Sequence, residues 1–175
     1  MALVIVETQS DTPLTPEKPT ETDLQVLNCL TERNATWQYS LLSSDRLRMI
    51  CIFQSPDVES VRESYRRGGG SFSQMWGGEM IRPAGTQPQR NEAILKVFEG
   101  TYPGGFTQEQ WDEGNRNVLP CYTEHGVEWL HSYVAVNRTR LICELNAPDA
   151  EVIRESHRKF NIPFDRVWSA MVIKP

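Results

Sequence analysis

The segment WLHSYV (129–134) carries a histidine, and RLICELN (140–146) carries a glutamate. Between them Asn137-Arg138 reads as a two-residue hairpin turn. That turn sets Val134 opposite Leu141, Tyr133 opposite Ile142, Ser132 opposite Cys143 and His131 opposite Glu144. Strict alternation then sorts the hairpin into two faces. Leu130, Ser132, Val134, Leu141, Cys143 and Leu145 form a small, aliphatic face suited to lie under helices. Trp129, His131, Tyr133, Arg140, Ile142 and Glu144 form the other. A histidine beside a carboxylate is an acid–base pair or a pair of metal ligands. The plain structural alternative is a hydrogen-bonded cross-strand contact. In an enzyme His131 is the general base, Glu144 orients it and Tyr133 steadies an oxyanion. Arg140 beside Trp129 offers an anchor for an anionic ligand or cofactor, against simple stacking of the guanidinium on the indole. Arg48 and Trp37 repeat that pairing earlier in the chain.

The chain's other two histidines have ready structural explanations. His125 sits at an expected helix C-terminus, where a histidine suits the dipole. His157 follows Ile153 at helical spacing and edges a core. The four cysteines recur as Cys29 with Cys51 and Cys121 with Cys143. Each pair fits between a helix and a strand, and buried thiols are expected in preference to disulfides. There is no CxxC and no zinc-type clustering. The glycines of 68–78 lack a following Lys-Ser/Thr, so they form no P-loop and no dinucleotide fingerprint. No Gly-x-Ser-x-Gly elbow exists. A net charge of −5 over 175 residues argues against nucleic-acid binding. No apolar run is long enough to span a bilayer. The start, MALVIVETQ, reads as a strand rather than a signal peptide, so a cytoplasmic protein is expected.

The elements that must position these residues are written twice. Shifted by about 92 residues, the chain aligns with itself without a gap, about 27 of roughly 83 positions being identical. Cys29, Trp37, Ser40 and Cys51 meet Cys121, Trp129, Ser132 and Cys143, and RES at 62–64 meets RES at 154–156. The second copy reads strand (94–99), helix opened by the capping box Thr107-x-x-Gln110, strands 128–136 and 139–145, helix from Pro148-Asp149, and strand 166–173. Pro120 is expected to kink the first of those helices, and Pro16 and Pro19 to delay its counterpart in the first copy. The order βαββαβ is ferredoxin-like. The expected fold is therefore α+β: two tandem ferredoxin-like units, residues 1–83 and 93–175, joined by a polar linker at 84–92. The sheet faces bare of helices are expected to pack together as an intrachain pseudo-dimer resembling a dimeric α/β barrel. The first copy has Tyr39, Ile52, Leu41 and Tyr65 where the second has His131, Glu144, Tyr133 and His157. The first copy reads as scaffold and the second as the working half.

WLHSYV, ICELNAPDAEVIRESHRKFNIPFDRV (142–167) and the terminal strand ending in Pro175 resemble a bacterial family of small ferredoxin-like domains of unknown function that includes a nickel-binding protein. The resemblance covers nearly all of the second copy, and the first through Trp37, Ser40, Cys51 and Pro56-Asp57. It implies binding of Ni2+ or another divalent transition metal, with His131 and His157 as ligands beside Glu144. The leading expectation is a metal-binding protein, monomeric with an internal pseudo-twofold or further self-associated. The alternatives are a cofactor-independent isomerase, cyclase or monooxygenase acting on a small organic molecule, and a protein-interaction adaptor.

Overall fold

The computed structural model describes residues 1–85 and 87–175; Thr86, inside the expected 84–92 linker, lies outside the described residues. The elements are β1 (Ala2–Gln9), α1 (Glu21–Glu32), β2 (Thr36–Ser43), β3 (Arg48–Ser55), α2 (Val58–Gly68) and β4 (Gln74–Ile81). After them come β5 (Leu95–Thr101), α3 (Gln108–Glu124), β6 (Glu128–Ala135), β7 (Arg140–Asn146), α4 (Ala150–Lys159) and β8 (Arg166–Ile173). The order is βαββαβ, twice. Two compact units divide the chain: Met1–Gly78 with Met171–Pro175, and Glu79–Ala170. In the first, β1 pairs antiparallel with β3 and β4, and β3 with β2. In the second, β5 pairs antiparallel with β7 and β8, and β7 with β6. Each unit thus repeats one strand order.

Local chemistry explains the helix ends. Thr107 Oγ1 accepts from the Gln110 amide at 3.1 Å while Gln110 Oε1 accepts from the Thr107 amide at 2.8 Å, the reciprocal box the sequence spells. In the first unit Thr20 and Asp23 make the same box, after Pro16 and Pro19. As a result α1 has 12 residues against 17 in α3. Helix α3 runs unbroken through Pro120. Arg116 and Pro120 are both exposed, so the carbonyl that proline leaves without a donor can meet water.

Each unit buries its helices on one sheet face. Val4, Val6, Val26, Leu30, Phe53 and Val61 make the core of the first. Phe98, Val118, Tyr122, Leu141, Leu145 and Ile153 make that of the second. The hairpin register agrees with the sequence reading from Val134–Leu141 down to His131–Glu144. There the ladder shifts, and Trp129 stands opposite Leu145, where an unbroken register would put it opposite Asn146. One extra residue, Leu130, reverses the alternation beyond it. Trp129 therefore packs against the helix-side core with Leu145, not on the face of His131. The same shift lies between Trp37 and Tyr39 in the first unit.

Candidate functional site

His131 and Glu144 meet as their register requires: Nε2 lies 2.7 Å from Oε2. Glu144 is completely buried and His131 is 15% exposed at its side chain. The second oxygen, Oε1, accepts from Arg90 Nε at 2.9 Å and Nη2 at 2.6 Å. Arg90 comes from the segment expected to be a free linker. Its neighbours anchor that segment to β7, where the Asn91 amide donates to Asn146 Oδ1 at 2.8 Å and Asn146 Nδ2 to the Gln89 carbonyl at 2.7 Å. A buried carboxylate shared by a guanidinium and an imidazole is a satisfied anion, which is what burial of a charge demands. Tyr133 is fully buried on the same face, its ring centroid 5.1 Å from that of His131 and edge-on to it.

Arg140 shares this face, but it is committed to carboxylates. It pairs with Glu99, and its Nη1 lies 2.8 Å from Asp165 Oδ2. Glu99, 1% exposed, also accepts from Arg166 at 2.8 Å and from Trp168 Nε1 at 2.6 Å. The expected anion anchor formed by Arg140 with Trp129 is therefore corrected: the bulge puts Trp129 on the opposite face, and Arg140 neutralises acids of its own unit. In the first unit Glu7 accepts from Trp76 Nε1 at 2.7 Å, so the glutamate–tryptophan bond is structural and duplicated. The repeat, which aligns Glu7 with Glu99 and Trp76 with Trp168, is the sequence signal that could have identified it.

The expected ligand trio His131, Glu144 and His157 is corrected as well. His157, on α4, stacks on Phe98 with ring centroids 4.3 Å apart. Phe98 stands opposite Cys143, whereas Val97 stands opposite Glu144, so the sheet separates His157 from the couple. His157 Nδ1 donates to the Ile153 carbonyl at 2.9 Å, which leaves Nε2 as the nitrogen that accepts, 3.3 Å from the Tyr122 hydroxyl. Burial pushes the imidazole below its usual value, partly offset by its bond to Ile153. His125 bonds the Cys121 carbonyl at 2.8 Å at the end of α3, as a helix-terminal histidine does.

The four cysteines are free thiols. Trp129 Nε1 donates to Ser132 Oγ at 2.9 Å, and Ser132 Oγ donates to Cys143 Sγ at 2.8 Å. Trp37, Ser40 and Cys51 repeat the chain of bonds, each at 2.9 Å. Burial pushes Cys143 up to about 12 and Cys51 to about 11, against the opposing hydrogen bonds from their serines. Both stay protonated, and thiols are poor ligands and nucleophiles.

His131 and Glu144 supply an imidazole nitrogen and a carboxylate oxygen, donors that nickel and zinc accept. Among the described residues no group of three or more His, Cys, Asp or Glu stands together. Two donors are fewer than the three or four protein ligands of a resident zinc centre. No helix among the described residues is long and apolar enough to cross a membrane.

The second unit holds a feature the sequence reading missed: a cavity of about 650 Å³ between its sheet and its helices, lined in part by Phe98, Phe106, Trp111, Tyr122, Trp129 and His157.

The family model of SCO4226-like nickel responsive proteins matches residues 4–76 and again residues 97–169. No curated relative matches the chain. Among solved structures, an anthrone oxidase-like protein is similar at 11% identity and a TM-score of 0.45, over 99% of this chain and 90% of that one. A protein described as a candidate monooxygenase from Fusobacterium nucleatum is similar at 10% identity and a TM-score of 0.47, over 99% and 92%. One described as a candidate chlorite dismutase is similar at 9% identity and a TM-score of 0.48, over 99% and 96%. Likeness at this level carries no argument about activity.

Proposed function

Because the chain belongs to the family of SCO4226-like nickel responsive proteins, we propose that it is a divalent-metal-responsive binding protein whose metal-sensing group is the His131–Glu144 couple of the second repeat. The observation that carries this reading is the 2.7 Å contact between an imidazole nitrogen and a buried carboxylate, which places two suitable donors side by side. The first repeat has Tyr39 opposite Ile52 at the corresponding place. It offers no imidazole and no carboxylate there, so a single site per chain is expected.

Two protein donors are fewer than a resident zinc centre holds, and such binding is weak and reversible. That suits a protein that responds to an ion better than one that keeps it. Arg90 sets the threshold: its guanidinium already neutralises Glu144, and an arriving cation must compete with that charge. His131 must also give up its bond to Oε2 for its Nε2 to serve.

Titration of the full chain with nickel chloride, followed by calorimetry, tests the reading. One equivalent bound by the wild type, weakened at least about tenfold (~1.4 kcal/mol) in His131→Ala, is the expected result. No heat up to about 1 mM nickel, or equal binding by the variant, overturns it.

The same couple supports one second reading, proton transfer on a small organic molecule. An imidazole oriented by a buried carboxylate is the arrangement a general base uses, with Tyr133 near enough to steady developing charge. It predicts that function survives exhaustive chelation of metal, which the first reading does not.

A further inference from the structure

The two repeats differ most under their helices, and the cause lies in a few side chains. In the first unit Gly68 and Gly70 stand where α2 approaches α1. A Cβ added at Gly68 would come within 2.5 Å of Val26 Cγ2 and 2.7 Å of the Val26 backbone nitrogen. The helices touch there because no side chain intervenes. Tyr65 fills the space beneath, edge-on to Phe53 and to Phe72. The aligned residues of the second unit are Phe160, Ile162 and His157. Two bulky side chains now stand where the glycines were, and an imidazole replaces the phenol. Phe160, Ile162 and Val118, the counterpart of Val26, all line the 650 Å³ cavity. The helices that touch at Gly68 in one copy have counterparts that stand over an open pocket in the other.

The walls of that pocket define its ligand. Phe106 and Trp111 are stacked with ring centroids 5.6 Å apart, and Trp111 meets Trp129 edge-on at 6.1 Å. Phe98 and the ring of His157 close another side. Such walls favour flat rings through offset-stacked and edge contacts. The volume lies within the ordinary range for small-molecule sites. Polar side chains line it as well, among them Thr101, Gln110, Asn115 and Asn161. The hydroxyl of Tyr122 sits 3.3 Å from the accepting nitrogen of His157, a long bond that a better partner can replace. The carboxylate in the lining, Glu113, is exposed on α3 and marks the mouth with Asn117. Ser132 already accepts from Trp129 and donates to Cys143.

We propose that the space under α3 and α4 binds an uncharged, flat aromatic molecule bearing one hydroxyl, with the rings held by Phe106, Trp111 and Phe98 and the hydroxyl donating to His157 Nε2 while accepting from Tyr122. The site lies across the sheet from His131 and does not depend on nickel.

The test uses the full chain and 1-naphthol, with naphthalene and 1-naphthalenesulfonate as comparators, read by calorimetry or by ligand-observed NMR. Saturable binding of 1-naphthol is expected, with naphthalene weaker and the sulfonate weaker still. Gly114→Phe fills the pocket from α3, where an added Cβ finds only Ile162 Cδ1 at 3.7 Å. Asn117→Trp covers the mouth from an exposed position if the first variant does not fold. Either should weaken 1-naphthol by at least about tenfold, whereas Tyr122→Phe, which removes one of the two bonds to the hydroxyl, should reduce the advantage of 1-naphthol over naphthalene. Absence of binding at about 1 mM, or unchanged affinity in a folded pocket-filling variant, overturns the proposal. Equal affinity for the sulfonate overturns the requirement for an uncharged ligand. Nickel titrations on the same variants should match the wild type, so failure of one proposal is read separately from failure of the other.

Discussion

His157 shows how one side chain changes its meaning between the copies. It is 6% exposed, donates to Ile153 and is stacked on Phe98, so it folds as a neutral imidazole. Its folded value lies below the unfolded one, which is about 6.5. The native state thus binds fewer protons than the unfolded state as the pH falls through this window. The stability it contributes is present above about pH 6.5 and is lost as the pH drops towards the lower folded value. Replacing it with the residue of the first copy, His157→Tyr, removes that titration. Urea midpoints measured between about pH 8 and pH 5 should fall more steeply for the wild type than for the variant. Parallel slopes would show that His157 is solvated in the folded state. At Glu144 the lesson is different. Its partner across the strand was legible from a two-residue turn, but Arg90 was not, because a linker composition says nothing of which of its side chains turns inward.

Among the elements, the hairpins carry the clearest success and the clearest miss. Period two carried the pairing as far as His131–Glu144, and the ladder confirms it. It then failed at Trp129, because a bulge adds one residue and parity inverts. The repeated Trp-x-x-Ser spacing was the available sign: an indole can reach the serine three residues on only if both lie on one side, as the 2.9 Å bonds in both copies show. The helix pairs give a prediction of opposite signs. Alanine is favoured over glycine in a helix by about 1 kcal/mol. Gly114→Ala, with ordinary space around its Cβ, should stabilise the fold by up to about that amount. Gly68→Ala should instead destabilise it by about 1–3 kcal/mol, since its Cβ meets the backbone of Val26. Chemical denaturation of the two variants checks both signs, and a stabilising Gly68→Ala would mean that α1 and α2 are not held in contact.

For the chain as a whole, the duplication was the most legible feature. A constant offset aligns every strand and helix, and the doubled element order follows from it. The pocket was not legible, because it arises from what stands at three aligned places, Gly68/Phe160, Gly70/Ile162 and Tyr65/His157. A volume left between packed layers has no sequence pattern of its own. The cysteines lead to a molecule-wide expectation. With four free thiols and Cys51 and Cys143 each bonded to a serine, the fold owes nothing to a disulfide. Melting temperatures with and without reductant should agree within about 1 °C in freshly purified protein, and a large drop on reduction would contradict the pairing seen here.

The indole–hydroxyl–thiol ledge built on Trp37 and again on Trp129 has a practical corollary. One ledge lies in the repeat whose helices touch and the other lines the cavity, yet heat, salt and solvent act on both alike. Fluorinated tryptophan at these two positions makes the first signal an internal standard for the second. Whatever shifts only the Trp129 resonance is reporting on a guest rather than on its surroundings.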